Sequence, residues 1–239
     1  MDEVASTEHP YEPHLGDSRQ YWRDMILGVN DGLVSIFLLV AGVVGGQLAS
    51  RQVLLTAIAG AVAGAISMAT GEWLATKSQE EVFDREIALE REHIKYHRDS
   101  EIEQLWEMLG NIGLEGEPLA AAVEQIGSSD ERLMQSMKVL EFGVLDEERR
   151  SPWKAAWFSG VLFLTGALPS VVPFVFITDT FIALIWAGVL SGFGLFAVGA
   201  AKSMATKTNP WRSGAENLGV SLLGAVLSFW VGRAYDATF

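Results

Sequence analysis

The sequence predicts an all-α, polytopic membrane protein: five transmembrane helices, with a helical lobe between the second and third. Three observations carry this. Mean hydropathy is positive although 20% of residues are charged, so apolar and charged residues must sit in separate blocks. Five of the blocks are apolar over about 20 residues or more, enough to cross a hydrocarbon core of about 30 Å. The charged block between the second and third has no proline or glycine from residue 72 to 109, which favours continuous helix. Residues 77–150 hold 19 of the 30 acidic residues but only 9 of the 17 basic ones. That excess argues against nucleic acid and suits cations. Without cysteine, neither a disulfide framework nor a thiolate metal site is available.

Taken in order, residues 1–20 are polar and acidic, with Pro10, Pro13 and Gly16. They lack the basic and apolar regions of a signal peptide and read as a disordered tail. The first span, 25–48, is nearly unbroken apolar sequence that rises about 36 Å as a helix and contains Asp31. A carboxylate in such a span costs about 2.5–3.5 kcal/mol, so it should face a polar cavity or a partner rather than lipid. Asp24 lies two turns earlier; Asp24, Gly28, Asp31 and Ser35 therefore share one helical stripe. The bland reading is that Asp24 is interfacial and Asp31 bonds a neighbouring helix.

The second span, 53–76, carries Met68 and Glu72 at i, i+4, thioether and carboxylate on one face. Met68 alone reads as packing; beside Glu72, and facing a helix that carries Asp31, it reads as a soft metal ligand. The helix continues out of the membrane, where Glu86, Glu90, His93 and His97 form another stripe, although a charge-rich helix is usually a solvated face. Weak helix formers at Arg98, Asp99 and Ser100 predict a break, with Asp99 or Ser100 capping the next helix. Shorter helices are expected over 117–126, with Pro118 in its first turn, and over 131–142, capped by Ser129 or Asp130. Spans three to five are expected over 153–172, ending near Pro169 and Pro173, over 179–201, and over 213–233. Six tryptophans fall near span ends, as an aromatic belt requires. The expected organisation is a tail over 1–20, two spans within 21–76, the lobe over 77–151 and three spans within 152–239. Nearly all lysines and arginines lie on one side if the N-terminus is cytoplasmic. The positive-inside rule thus places the N-terminus and lobe in the cytoplasm and the C-terminus opposite.

The stretches RDMILGVNDGLVSIFLLVAGVVGG and AGAISMATGEWLATKSQEE closely resemble the vacuolar iron transporter family, and the resemblance extends from about residue 21 through the whole chain. It implies export of Fe²⁺, and often Mn²⁺, from the cytosol by a homodimer, coupled to proton counter-flow. It also implies that Asp24 and Asp31 line the ion path with Met68 at the dimer interface; Glu72 matches a carboxylate often found four residues after the methionine. In the lobe, the resemblance preserves the metal-binding positions Glu90, Glu101, Met137 and Glu141. Three positions depart: His93, Gln104 and Lys138 stand where glutamate is expected. A neutral His93 can still coordinate and Glu103 could replace Gln104 after a small rotation, whereas Lys138 cannot help. Fewer ions, or weaker binding, are expected in this lobe than in a typical member.

The chemistry agrees with that implication. Carboxylates suit Mn²⁺, and a thioether or imidazole adds preference for Fe²⁺ and later metals. Two copies of Asp31 and Met68 across a two-fold axis would make a four-ligand site with room for water. Asp24 and Glu72 are candidates for proton exchange, since a partly desolvated carboxylate titrates nearer neutrality. A lobe site built only from ordinary carboxylates would hold metal down to about pH 4–5, and one using His93 would weaken near about 6.5. No prosthetic group and no enzyme activity are expected; the partners are divalent metal ions, protons, membrane lipid and a second copy. The membrane is a bacterial or archaeal plasma membrane or a vacuole-type membrane. The rival readings are a passive metal channel, a membrane-anchored di-iron oxidase and a structural or signalling protein. The oxidase would want paired Glu-x-x-His motifs, of which only Glu90 to His93 is present. The structural reading leaves Asp31 and Glu72 unexplained.

Overall fold

The computed structural model describes residues 18–141, 143 and 149–238. The described residues contain eight helices and no strand: α1 (Ser18–Gly45), α2 (Ser50–Tyr96), α3 (Arg98–Asn111), α4 (Gly116–Gly127), α5 (Asp130–Leu140), α6 (Pro152–Phe176), α7 (Thr180–Thr206) and α8 (Pro210–Thr238). Five of them, α1, α2, α6, α7 and α8, are long and apolar enough to cross a membrane. Of the stretch read as a tail, residues 1–17 lie outside the described residues, as does Phe142; Ser18 already belongs to α1. The described residues up to Ala69 and from Trp157 form one compact unit, and Thr70–Ala156 form another.

In the first unit α1 takes the centre because its glycines admit other backbones on two flanks. A Cβ on Gly32 would overlap the Phe163 carbonyl of α6, and one on Gly232 of α8 would overlap the Gly42 carbonyl of α1. Such contacts replace the hydrophobic drive that helices lack in lipid with close van der Waals packing. Polar bonds fix the register: Asn217 Nδ2 donates to Asn30 Oδ1 (2.8 Å) and to the Leu195 carbonyl (2.7 Å), and Ser228 Oγ donates to the Leu38 carbonyl (2.6 Å). Between α6 and α7, the buried hydroxyls of Ser170 and Ser191 pair at 2.9 Å. The apolar core joins Ile36, Val40 and Val44 of α1 to the Ala57, Ala61 and Ala65 ridge of α2 and to Phe163 and Ala167 of α6. Large apolar side chains such as Leu55, Val62, Leu223 and Trp230 remain exposed on these helices.

Two expectations about helix ends need correction. Helix α6 does not end at its prolines; it runs through Pro169 and Pro173 to Phe176. Each proline removes one N–H bond, but membrane helices tolerate this when neighbours pack around them, and Ile177 N still donates to the Pro173 carbonyl at 2.9 Å. Helix α2 breaks one residue earlier than expected: His97, with φ −131° and ψ 35°, occupies the cap position of α3, and neither Asp99 nor Ser100 does. By contrast α7 starts as its sequence dictates, with the Asp179 carboxylate accepting from Ile182 N at 2.9 Å.

The second unit has its own small core of Ile94, Leu105, Leu109, Leu119, Val123, Leu133 and Met137. Arg98 ties the start of α3 to the α4–α5 turn, bonding Asp130 and the Gly127 carbonyl. At the other end of the unit, Arg149 donates to Glu80 (2.6 Å) and Asp84 (2.8 Å) and lies over the Phe83 ring. There Trp73 and Trp153 also meet, their ring centroids 5.8 Å apart.

Candidate metal centre

The break at His97 builds the site. Glu90 and His93 lie one turn apart on the last turns of α2, and the turn at His97 starts α3 so that Glu101, in its first turn, returns beside them. Ile94 and Leu105, each four residues beyond one of the two glutamates, are core residues, so both carboxylates are drawn to the edge of the apolar core. Glu90 is 3% exposed and Glu101 4%. His93 Nδ1 lies 3.4 Å from Glu101 Oε1 and 3.9 Å from Glu90 Oε2. One ligand atom from each of the three residues falls within 4.8 Å of the others.

Two carboxylate oxygens in this group, Glu90 Oε1 and Glu101 Oε2, are buried without a hydrogen-bond partner. Leaving such atoms unsatisfied is costly, and more so for charged groups. A divalent cation would satisfy both, and two oxygens with one imidazole nitrogen suit Fe²⁺ and Mn²⁺. Without a cation the carboxylates repel one another. Burial, the charges of Glu101 and Glu141, and a hydrogen bond with Glu101 push Glu90 up from 4.5 to about 7. The limit of about pH 4–5 expected for ordinary carboxylates does not apply to Glu90, which is buried in a site that is already negative.

The remaining lobe residues take different positions. Met137 is fully buried in the lobe core, in the same cluster as Ile94 and Leu105. Glu141 caps α5 and is exposed, yet its charge reaches Glu90. Glu86 is half-buried and His97 exposed; neither joins the close group, so the four-residue stripe read on one helix is replaced by two of its members and Glu101. Gln104 and Lys138 are half-buried and Glu103 is exposed.

In the spans, Asp24 is buried, with the Arg23 guanidinium 3.4 Å away. Asp31 is half-buried and accepts a 2.9 Å hydrogen bond from Ser35 Oγ, so these two stripe members do meet. Seven residues of helix separate Asp24 from Asp31 by about 10 Å, too far for one ion to bridge them. Met68 packs against the core that contains Ile36 and Phe163. Glu72 faces Arg150, with 3.9 Å between Arg150 Nη1 and Glu72 Oε1. Among the described residues, none of Asp24, Asp31 and Glu72 belongs to a cluster of three close ligands. Arg150 escaped the sequence reading; its signal was the adjacent pair Arg149–Arg150 where the acidic lobe returns to an apolar span.

The description of the VIT family matches residues 22–233. The chain is 29% identical over 226 residues to Vacuolar iron transporter 1 of Arabidopsis thaliana, covering 95% of this chain and 90% of that protein. It is 30% identical over 215 residues to Vacuolar iron transporter 1 of Tulipa gesneriana, covering 90% and 87%. With Vacuolar iron transporter 1 of Oryza sativa subsp. japonica it shares 27% over 234 residues, covering 98% and 93%. The match takes in every membrane-length helix and the lobe between them: the chain belongs to the VIT family.

Proposed function

We propose that this protein is a secondary transporter that moves Fe²⁺, and also Mn²⁺, out of the cytosol in exchange for protons, through a path at a homodimer interface. The observation that carries the reading is the pair of buried, partnerless carboxylate oxygens of Glu90 and Glu101 beside His93, in a chain whose relatives are named iron transporters. The lobe, over 77–151, gathers metal on the cytoplasmic side through Glu90, His93, Glu101, Met137 and Glu141. Asp24, Asp31, Met68 and Glu72 pass it on. A single chain offers one α1 carboxylate at each level, and divalent ions need several ligands; a second copy, placing Asp31 and Met68 opposite their counterparts, supplies them. Glu72 serves chiefly in proton exchange. The distribution of lysine and arginine favours a cytoplasmic N-terminus and a C-terminus on the opposite side. The protein is not an enzyme and holds no prosthetic group; the metal is its cargo.

The test is Fe²⁺ uptake by purified protein in liposomes, with and without an imposed pH gradient, for wild type and Asp31→Ala. Uptake driven by the gradient and lost in a folded, dimeric Asp31→Ala variant is the expected outcome. Uptake indifferent to the pH gradient would replace antiport with a passive path, and a wild-type rate in Asp31→Ala would remove Asp31 from the path.

A further inference from the structure

The stretch where the lobe rejoins the membrane-length helices holds a device that metal binding alone does not explain. Arg149 is clamped to α2 by Glu80 and Asp84, at 2.6 and 2.8 Å, and by the face of Phe83. The neighbouring backbone is held too, since Arg150 N donates to Glu80 Oε1 at 3.3 Å. The clamp thereby sets where the next side chain can reach: the Arg150 guanidinium stands 3.9 Å from Glu72, and both side chains are only about one-fifth exposed, at 20% and 22%. No hydrogen bond and no second ion pair to Glu72 occurs among the described residues.

We infer that Arg150 is a tethered counter-ion for Glu72, occupying the carboxylate while no metal is there and having to be displaced when a divalent cation arrives. The inference rests on the reading above that Glu72 lies on the ion path. A guanidinium does not deprotonate in proteins and offers no lone pair to a metal. It therefore cannot share Glu72 with a cation as a ligand, nor leave by losing its charge. A divalent cation that takes over the negative charge of Glu72 releases it. The same arrangement keeps a half-buried carboxylate compensated when the path is empty and sets the metal concentration at which it fills.

The test is the KM for Fe²⁺ in liposome uptake, with metal supplied on the lobe side, for wild type, Arg150→Gln, Arg150→Lys, Glu72→Gln and the double variant Arg150→Gln/Glu72→Gln. Removing a partly exposed ion pair of this kind is expected to lower KM about fivefold. Arg150→Lys restores the charge and moves KM back toward the wild-type value. In the Glu72→Gln background, Arg150→Gln changes KM by less than about twofold, because the pair no longer exists to be broken. If Arg150→Gln does not fold, Arg149→Gln, which loosens the tether and leaves the counter-ion present, is expected to lower KM by a smaller factor. An unchanged or raised KM in the folded variant, or an equal fall with Glu72 already replaced, overturns the inference while leaving Glu72 on the path. Wild-type KM and rate in Glu72→Gln alone would remove Glu72 from the path and overturn both.

Discussion

Replacing Glu90 with glutamine keeps the side chain's shape and its ability to donate to Glu101, but removes the charge. In the folded chain Glu90 holds its proton up to about pH 7, against 4.5 for the free group. The folded state thus binds this proton more tightly than the unfolded state. Its contribution to stability is fully present below about pH 4.5 and is lost as pH rises through about 7. Over that window the loss is on the order of 3 kcal/mol. Glutamine never ionises, so without metal Glu90→Gln should be more stable than wild type above neutrality, by about 1–2 kcal/mol once imperfect hydrogen bonding of the amide is allowed for. For a unit the size of Thr70–Ala156, that corresponds to a rise of about 5–10 °C in Tm. The assay is thermal unfolding of the full chain in detergent with chelator, at about pH 7.5 and about pH 5, which bracket the Glu90 value. The gain should be present at the higher pH and largely gone at the lower. Adding Fe²⁺ or Mn²⁺ should stabilise wild type by mass action and leave the variant nearly unmoved. A variant that melts at or below wild type at the higher pH, without metal, would refute the account of Glu90 as a charge held in readiness for a cation.

Two further outcomes are expected. His93→Ala should weaken metal binding to the full chain at about pH 7.5, because it removes one of the three close ligand atoms; metal titration checks this, and an unchanged affinity removes His93 from the site. Gly232→Ala should cut the yield of folded protein in size-exclusion chromatography, since the new methyl would overlap the Gly42 carbonyl and force α8 off α1; an unaffected yield would mean the two helices can part at little cost.

Much of this was legible because lipid and helix periodicity constrain sequence strongly. The five apolar blocks had to become helices, and the lobe's lack of glycine and proline near its start predicted the long α2. What escaped depended on contacts far apart in sequence. Nothing local distinguishes His97, which ends α2, from Glu90 and His93 one or two turns earlier; a single-helix stripe therefore included His97, and Glu101 entered only through the family resemblance. The prolines of α6 looked like terminators because a sequence does not show the neighbours that support a helix missing two N–H bonds. The pairing of Arg150 with Glu72 spans almost eighty positions of chain, and charge patterning sees no further than a few turns. The departure of Glu90 from ordinary carboxylate behaviour needs both its burial and the convergence of Glu101 and Glu141 upon it.

The glycine seams of α1 bear on the order in which the molecule can be made. Helix α1 meets some of its partners only far along the chain: Gly32 seats on α6, Gly42 on α8, and Asn30 bonds Asn217, 187 residues downstream. Until α8 is in place, the Asn30 amide and the α1 backbone at Gly42 lack the contacts that cover them. A chain stopped short of α8 therefore leaves these two polar features of α1 uncovered. Completion of α8 is the step that covers them, so the register of the last helix is decided by features laid down in α1.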